Sequence, residues 1–148
     1  MKNLELTTIF NYNHYVINEN FKDVSQQDSL VSSPSGGNCM NMVMGHIVVT
    51  RDALLEILGF EGVCNEKMNK IYAQGAPPVK REEAVDKDEL LKMFNESQEK
   101  IIKVLPETDI SSDEEKVKNI TGFSFHEAYH AGQLGVLRRI AGKEGALK

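Results

Sequence analysis

The stretch FSFHEAYHAGQLGVLRRIAG, residues 123–142, decides how this chain is read. His126 and His130 stand four residues apart, which on a helix puts them one turn apart on the same face. Gln133, Leu137 and Ile140 continue that line, so both histidines are expected to face a packed interior. Two imidazoles so placed can converge on one ion. The helix is expected to begin after Thr121 or Ser124 and to run to about Ala141, with Gly142 as its stop.

HEAYH also fits H-E-x-x-H, the helical zinc signature of metalloproteases. In the extended form of that signature a glycine and a third histidine follow. Here Gln133 stands in the glycine's place and Val136 in the histidine's, and no histidine follows His130. Glu127, three residues after Ser124, reads instead as the acidic partner of a helix capping box. A protease is therefore the weakest reading, and a third ligand has to come from upstream.

Working outward, three more segments carry a helical period and none alternates as a strand does. The first runs from Leu4 to Val24, with Leu6, Phe10, Asn13, Ile17, Phe21 and Val24 on one face. The second starts at an Asn38 cap and continues to Leu58, with Cys39, Val43, His46, Val49, Ala53 and Ile57 recurring at helical spacing. The third runs from Lys87 to Leu105 behind an Asp86 cap, with Leu91, Phe94, Gln98, Ile101 and Leu105 inward. Residues 1–148 are accordingly expected to form a single all-α domain, a four-helix bundle. SQQDSLVSSPSGGN (25–38), a long connection from Phe60 to Val85 containing QGAPPV, and the polar ETDISSDEEKVKN (107–119) link the helices. Links that long mean the order need not be simple up-down-up-down.

The composition excludes several classes. The net charge is −5 and the basic residues are scattered, so the phosphate-neutralising surface of a nucleic-acid binder is missing. No apolar run is long enough to span a bilayer, and the start of the chain carries charge and asparagine in place of a signal-peptide core. Two cysteines without framework spacing give no sign of an oxidising compartment. A cytoplasmic protein with no membrane or nucleic-acid partner is expected.

His46 lies in the middle of the second helix and is the best upstream candidate. The residues alone leave two readings open: histidines satisfied within a core, or a His46–His126–His130 metal site. Three unpartnered imidazoles would each cost on the order of 1–3 kcal/mol on burial, and a divalent ion would remove that cost. Gln133, one turn past His130, is a candidate for orienting a ligand or for a helix–helix hydrogen bond; Asn13 and Gln98 are candidates for supporting the site. His14 is expected at the surface or an interface, Gly45 and Gly132 at close helix contacts, and Met40, Met42 and Met44 as filler. Tyr72 and Phe60 are candidate pocket walls, and Arg138 and Arg139 are candidates for meeting terminal carbonyls or an anion. Cys39 is expected to be a buried small hydrophobe, too far from His46 to ligate.

GHI at residues 45–47 together with HEAYHAGQLGVLRRIAG at the C-terminus resembles the DinB/YfiT-like superfamily of metal-dependent enzymes. The specific part is H-x-x-x-H-x-G-Q from His126 to Gln133, followed by Leu137-Arg138-Arg139 and Gly142. The resemblance extends over nearly the whole chain, and the family's histidine positions correspond to His46, His126 and His130. It implies a four-helix bundle, often a homodimer, holding a divalent transition metal such as nickel or zinc. Relatives include S-transferases that use a low-molecular-weight thiol such as bacillithiol or mycothiol, and a mycothiol-dependent maleylpyruvate isomerase. The expected function is thus thiol S-transfer or hydrolysis on a small-molecule substrate. The alternative is a non-enzymatic metal- or ligand-binding stress protein.

Overall fold

In the computed structural model, which describes residues 2–147, the chain is all-helical, with no strand among those residues. The helices are α1 (Leu4–Phe21), α2 (Gln26–Ser29), α3 (Met40–Ile57), α4 (Glu66–Ile71), α5 (Lys87–Val104) and α6 (Glu114–Ile140). The four long ones pack side by side: α1 against α5 and α6, and α3 against the same two. No described helix is long and apolar enough to cross a membrane.

Side-chain contacts give their directions. Asn3 donates to the Leu105 and Thr108 carbonyls at one end, while His14 meets Asn95 further along, so α1 and α5 run oppositely. Asn13 reaches the Ser124 carbonyl and Arg138 the Asn20 carbonyl, so α1 and α6 run together. Asn41 reaches the Val85 carbonyl and Arg51 the Phe94 carbonyl, so α3 and α5 also run together. The order is up-down-down-up, and residues 58–86 form the crossover that returns the chain to the starting end of α3.

The crossover is folded onto α3. The Asp52 carboxylate accepts from the backbone N–H groups of Val63 and Cys64 at 2.7 and 3.0 Å. Tyr72 is fully buried, and its hydroxyl donates to Asn41 while accepting from the Val85 N–H. Its ring lies where a side chain at position 45 would otherwise be, so only glycine fits there. Gly45→Ala is therefore expected to destabilise the protein by about 1–3 kcal/mol, as overpacking does; urea unfolding measures it, and a neutral result would contradict the packing.

Several sequence expectations need correction. The last helix begins at Glu114, not after Thr121 or Ser124, because Asp113 caps it on the Lys116 N–H and Glu114 and Glu115 occupy its first turn. Residues 114–119 of the supposed polar connector are thus helix, and the buried Ile120 follows them. The cap of α3 is Cys39 and not Asn38, and it makes no side-chain capping bond. Asp86 does cap α5, on the N–H groups of Asp88 and Glu89. The core face of α3 is Met40, Met44, Ile47, Arg51, Leu54 and Leu55, so the line through His46, Val49 and Ala53 lies at the edge of the core. Gly132 is exposed, with nothing near where its Cβ would be, so it serves no close helix contact.

Candidate metal centre

α3 and α6 run in opposite directions, and where they pack, His46 comes against the His126–His130 pair. The three rings sit with centroids 4.4–5.1 Å apart and mutually steep, and one ligand atom from each falls within 4.8 Å of the others. His126 Nε2 is 3.0 Å from His46 Nε2 and 3.1 Å from His130 Nε2. All three are half-buried at the bundle edge. The ligands named from sequence are therefore brought together.

The far nitrogens fix two of the tautomers. His46 Nδ1 lies 3.1 Å from the Tyr72 carbonyl, which can only accept, so that nitrogen carries the proton. His130 Nδ1 lies 2.8 Å from Gln133 Oε1 and donates to it. Both rings thus turn a lone pair on Nε2 toward His126. His126 Nε2 can carry at most one proton, so at least one of the two short contacts sets lone pair against lone pair. Its own Nδ1 is buried and has no protein partner. A cation among the three Nε2 atoms resolves the conflict, because each lone pair then has an acceptor of electrons. The donor set fits a divalent transition metal.

The electrostatics agree with neutral imidazoles. Burial, followed by the neighbouring His130 and His46, pushes the pKa of His126 down to about 4. Burial likewise lowers that of His130, with His46 adding to the effect and the Gln133 hydrogen bond opposing it. Both lone pairs are then free at neutral pH.

Glu127 has a different place from the one expected. It forms no capping box, since the Ser124 hydroxyl donates to the Thr121 carbonyl. Its carboxylate is buried and both oxygens accept from Arg51, at 2.5 Å from Nε and 3.0 Å from Nη2. Nη1 of the same arginine donates to the Phe94 carbonyl and the Ser97 hydroxyl, and Nη2 also donates to Gln98 Oε1. All five guanidinium N–H groups are satisfied, and the group lies 3.9 Å above the Phe94 ring. A carboxylate held by two bonds inside a core has no free oxygen to act as a protease general base.

The remaining candidates divide. Gln133 orients His130 and bridges no helices. Asn13 and Gln98 are buried; Asn13 donates to the Ser124 carbonyl, and Gln98 accepts from Arg51 and donates to Asn11, so their hydrogen bonds go to no histidine. His14, expected at the surface or an interface, is half-buried, bonded to Asn95 and stacked on Phe94. Tyr72 contributes its carbonyl to His46, while Phe60 packs with the second apolar cluster around Leu54 and Ile101. Arg138 is buried against the Asn20, Lys22 and Glu144 carbonyls, tying α1 to the end of α6. Cys39 is buried and outside the cluster, with its thiol pKa pushed up by burial. Met40, Met42 and Met44 are core.

Sequence reasoning missed Arg51 and the carbonyl of Tyr72. Arg51 had a signal, an arginine inside the apolar run MVMGHIVVTRDALLEIL; the Tyr72 carbonyl had none, because backbone groups carry no residue code. Comparison with protein-family models, with curated proteins and with solved structures found no match to this chain.

Proposed function

We propose that this chain is a metal-dependent enzyme of DinB/YfiT-like type, in which the Nε2 atoms of His46, His126 and His130 hold a nickel or zinc ion. The carrying observation is the convergence of three Nε2 atoms with two far nitrogens fixed on carbonyl oxygens. Three neutral ligands leave the ion its full positive charge, and the ion supplies a Lewis acid that lowers the pKa of a group brought to it. The chain's part is to hold the geometry: the Tyr72 carbonyl and Gln133 aim two rings, and the Arg51–Glu127 pair sits one residue along α6 from His126. The reaction proposed is S-transfer from a low-molecular-weight thiol to a small electrophile, with hydrolysis as the related outcome. The acting form is proposed to be a cytoplasmic homodimer with no nucleic-acid partner.

Protein purified without an affinity tag should contain or take up one equivalent of nickel or zinc. Stripping the ion should lower the melting temperature by roughly 5–10 °C, the shift expected for a ligand present near a hundred times its Kd. A preparation with no affinity for either ion refutes the reading. Assay of loaded and stripped protein with electrophiles and several thiols then tests the reaction, and equal rates in both forms would exclude a role for the metal.

A further inference from the structure

The histidine ladder of α6 continues backward at the same spacing. Lys118, Gly122, His126 and His130 follow one another at four-residue intervals, so each lies about one turn from the next in a row that winds slowly around the helix. Along that row lies a cavity of about 370 Å³ bounded by Val49 and Thr50 of α3, Gln74 of the crossover, and Lys118, Gly122 and Phe123 of α6, with His46 and His126 also in its wall. Gly122 has nothing within 4 Å of where a Cβ would be, so the cavity runs over it because the side chain is missing. The volume is within the range of small-molecule sites.

A second, smaller opening of about 190 Å³ reaches the histidines from the His130 side, past Asn38, Met42 and Gly75. It is lined by no cationic side chain. Lys118 is the one charged residue lining either opening. Its ammonium sits 2.7 Å from Glu114, in an exposed pair that water and salt weaken.

We propose that the larger cavity is the substrate track, and that its ligand is a small elongated organic anion with its reacting end at the metal and a carboxylate at Lys118. The class rests on the metal reading above and deepens it. Val49 and Phe123 offer apolar walls for the body of the molecule, and Asn119 and Thr50 offer hydrogen bonds beside them. Two turns of α6 separate Lys118 from His126, about 12 Å along the axis, which sets the length of the ligand. The chain as a whole is acidic, so a carboxylate is drawn here by local charge and not by the overall field.

The test uses two probes on the zinc-loaded full chain, hexanohydroxamate and its analogue carrying a carboxylate at the far end of the chain. Calorimetry should show the carboxylate analogue binding about two- to fivefold more tightly, as expected for one exposed charge pair. Lys118→Met, which keeps length and removes charge, should erase that preference while leaving hexanohydroxamate unchanged. Gly122→Leu fills the track from an open position on a helix and should weaken both probes at least about tenfold. Metal content is measured on the same samples. Zinc bound normally with equal affinity for the two probes, or a preference that persists in Lys118→Met, overturns the track alone. No zinc bound in the wild type overturns the metal reading and the track with it.

Discussion

His126→Ala is expected to lose stoichiometric nickel or zinc, with affinity falling by at least about a hundredfold, since even residues that only support a ligand are worth 10–100-fold. His126 is chosen because its Nε2 is the atom that both other rings face. The variant also separates a metal site from a histidine cluster kept for packing. If the rings served the core, deleting the central one would cost stability in the metal-free protein. If they serve an ion, deletion removes the buried Nδ1 and the opposed lone pairs, and metal-free stability should stay within about 1 kcal/mol of the parent. Metal analysis and urea unfolding of the stripped proteins read the two quantities. Metal retained at parental stoichiometry would mean that the three rings are not the ligands.

Arg51→Ala should destabilise the protein strongly, by about 3–5 kcal/mol, because it leaves the Glu127 carboxylate buried without a counter-charge. Ser97, Gln98 and the Phe94 carbonyl lose a partner at the same time. The pair itself need not be net stabilising, since well-packed apolar residues often replace a buried ion pair without loss. Arg51→Met combined with Glu127→Leu should therefore recover most of the stability that Arg51→Ala forfeits. The two steps together are diagnostic: a loss under about 1 kcal/mol in Arg51→Ala would show that Glu127 finds water. Metal affinity of the double variant adds a second reading. Arg51 lies five residues after His46 on α3, and Glu127 one residue after His126 on α6, so the pair ties the two helices together close to the histidines. A stable double variant with weakened metal binding would show that this tie positions the histidines.

The sequence determined what local periodicity and side-chain chemistry encode. Four amphipathic segments specified an all-helical chain, and the i, i+4 spacing of His126 and His130 specified that both rings share a face. The prolines and glycines around Pro34 and Pro77 marked where helices could not run. The segment from Glu114 to Asn119 was misread because Val117 is its one apolar residue, too few to show a period, and its helix depends on the Asp113 cap and on the continuation into α6. The partners of His14 were not legible for a related reason, since Phe94 and Asn95 lie on another helix.

The tertiary structure decided the rest. That His46 meets the ladder of α6 depends on the up-down-down-up order and on the register of two antiparallel helices, neither of which leaves a periodic trace in one sequence. Glu127 shows the same limit. In HEAYH it can be read as a general base or as a cap, and both are local readings. Its actual partner is Arg51, 76 positions away, brought there because a buried carboxylate needs an opposite charge and α3 is one of the long helices packed against α6. Spacing along the chain fixes which side chains can stand together on one helix; which of them acquire a shared purpose is fixed by the helix that packs against them.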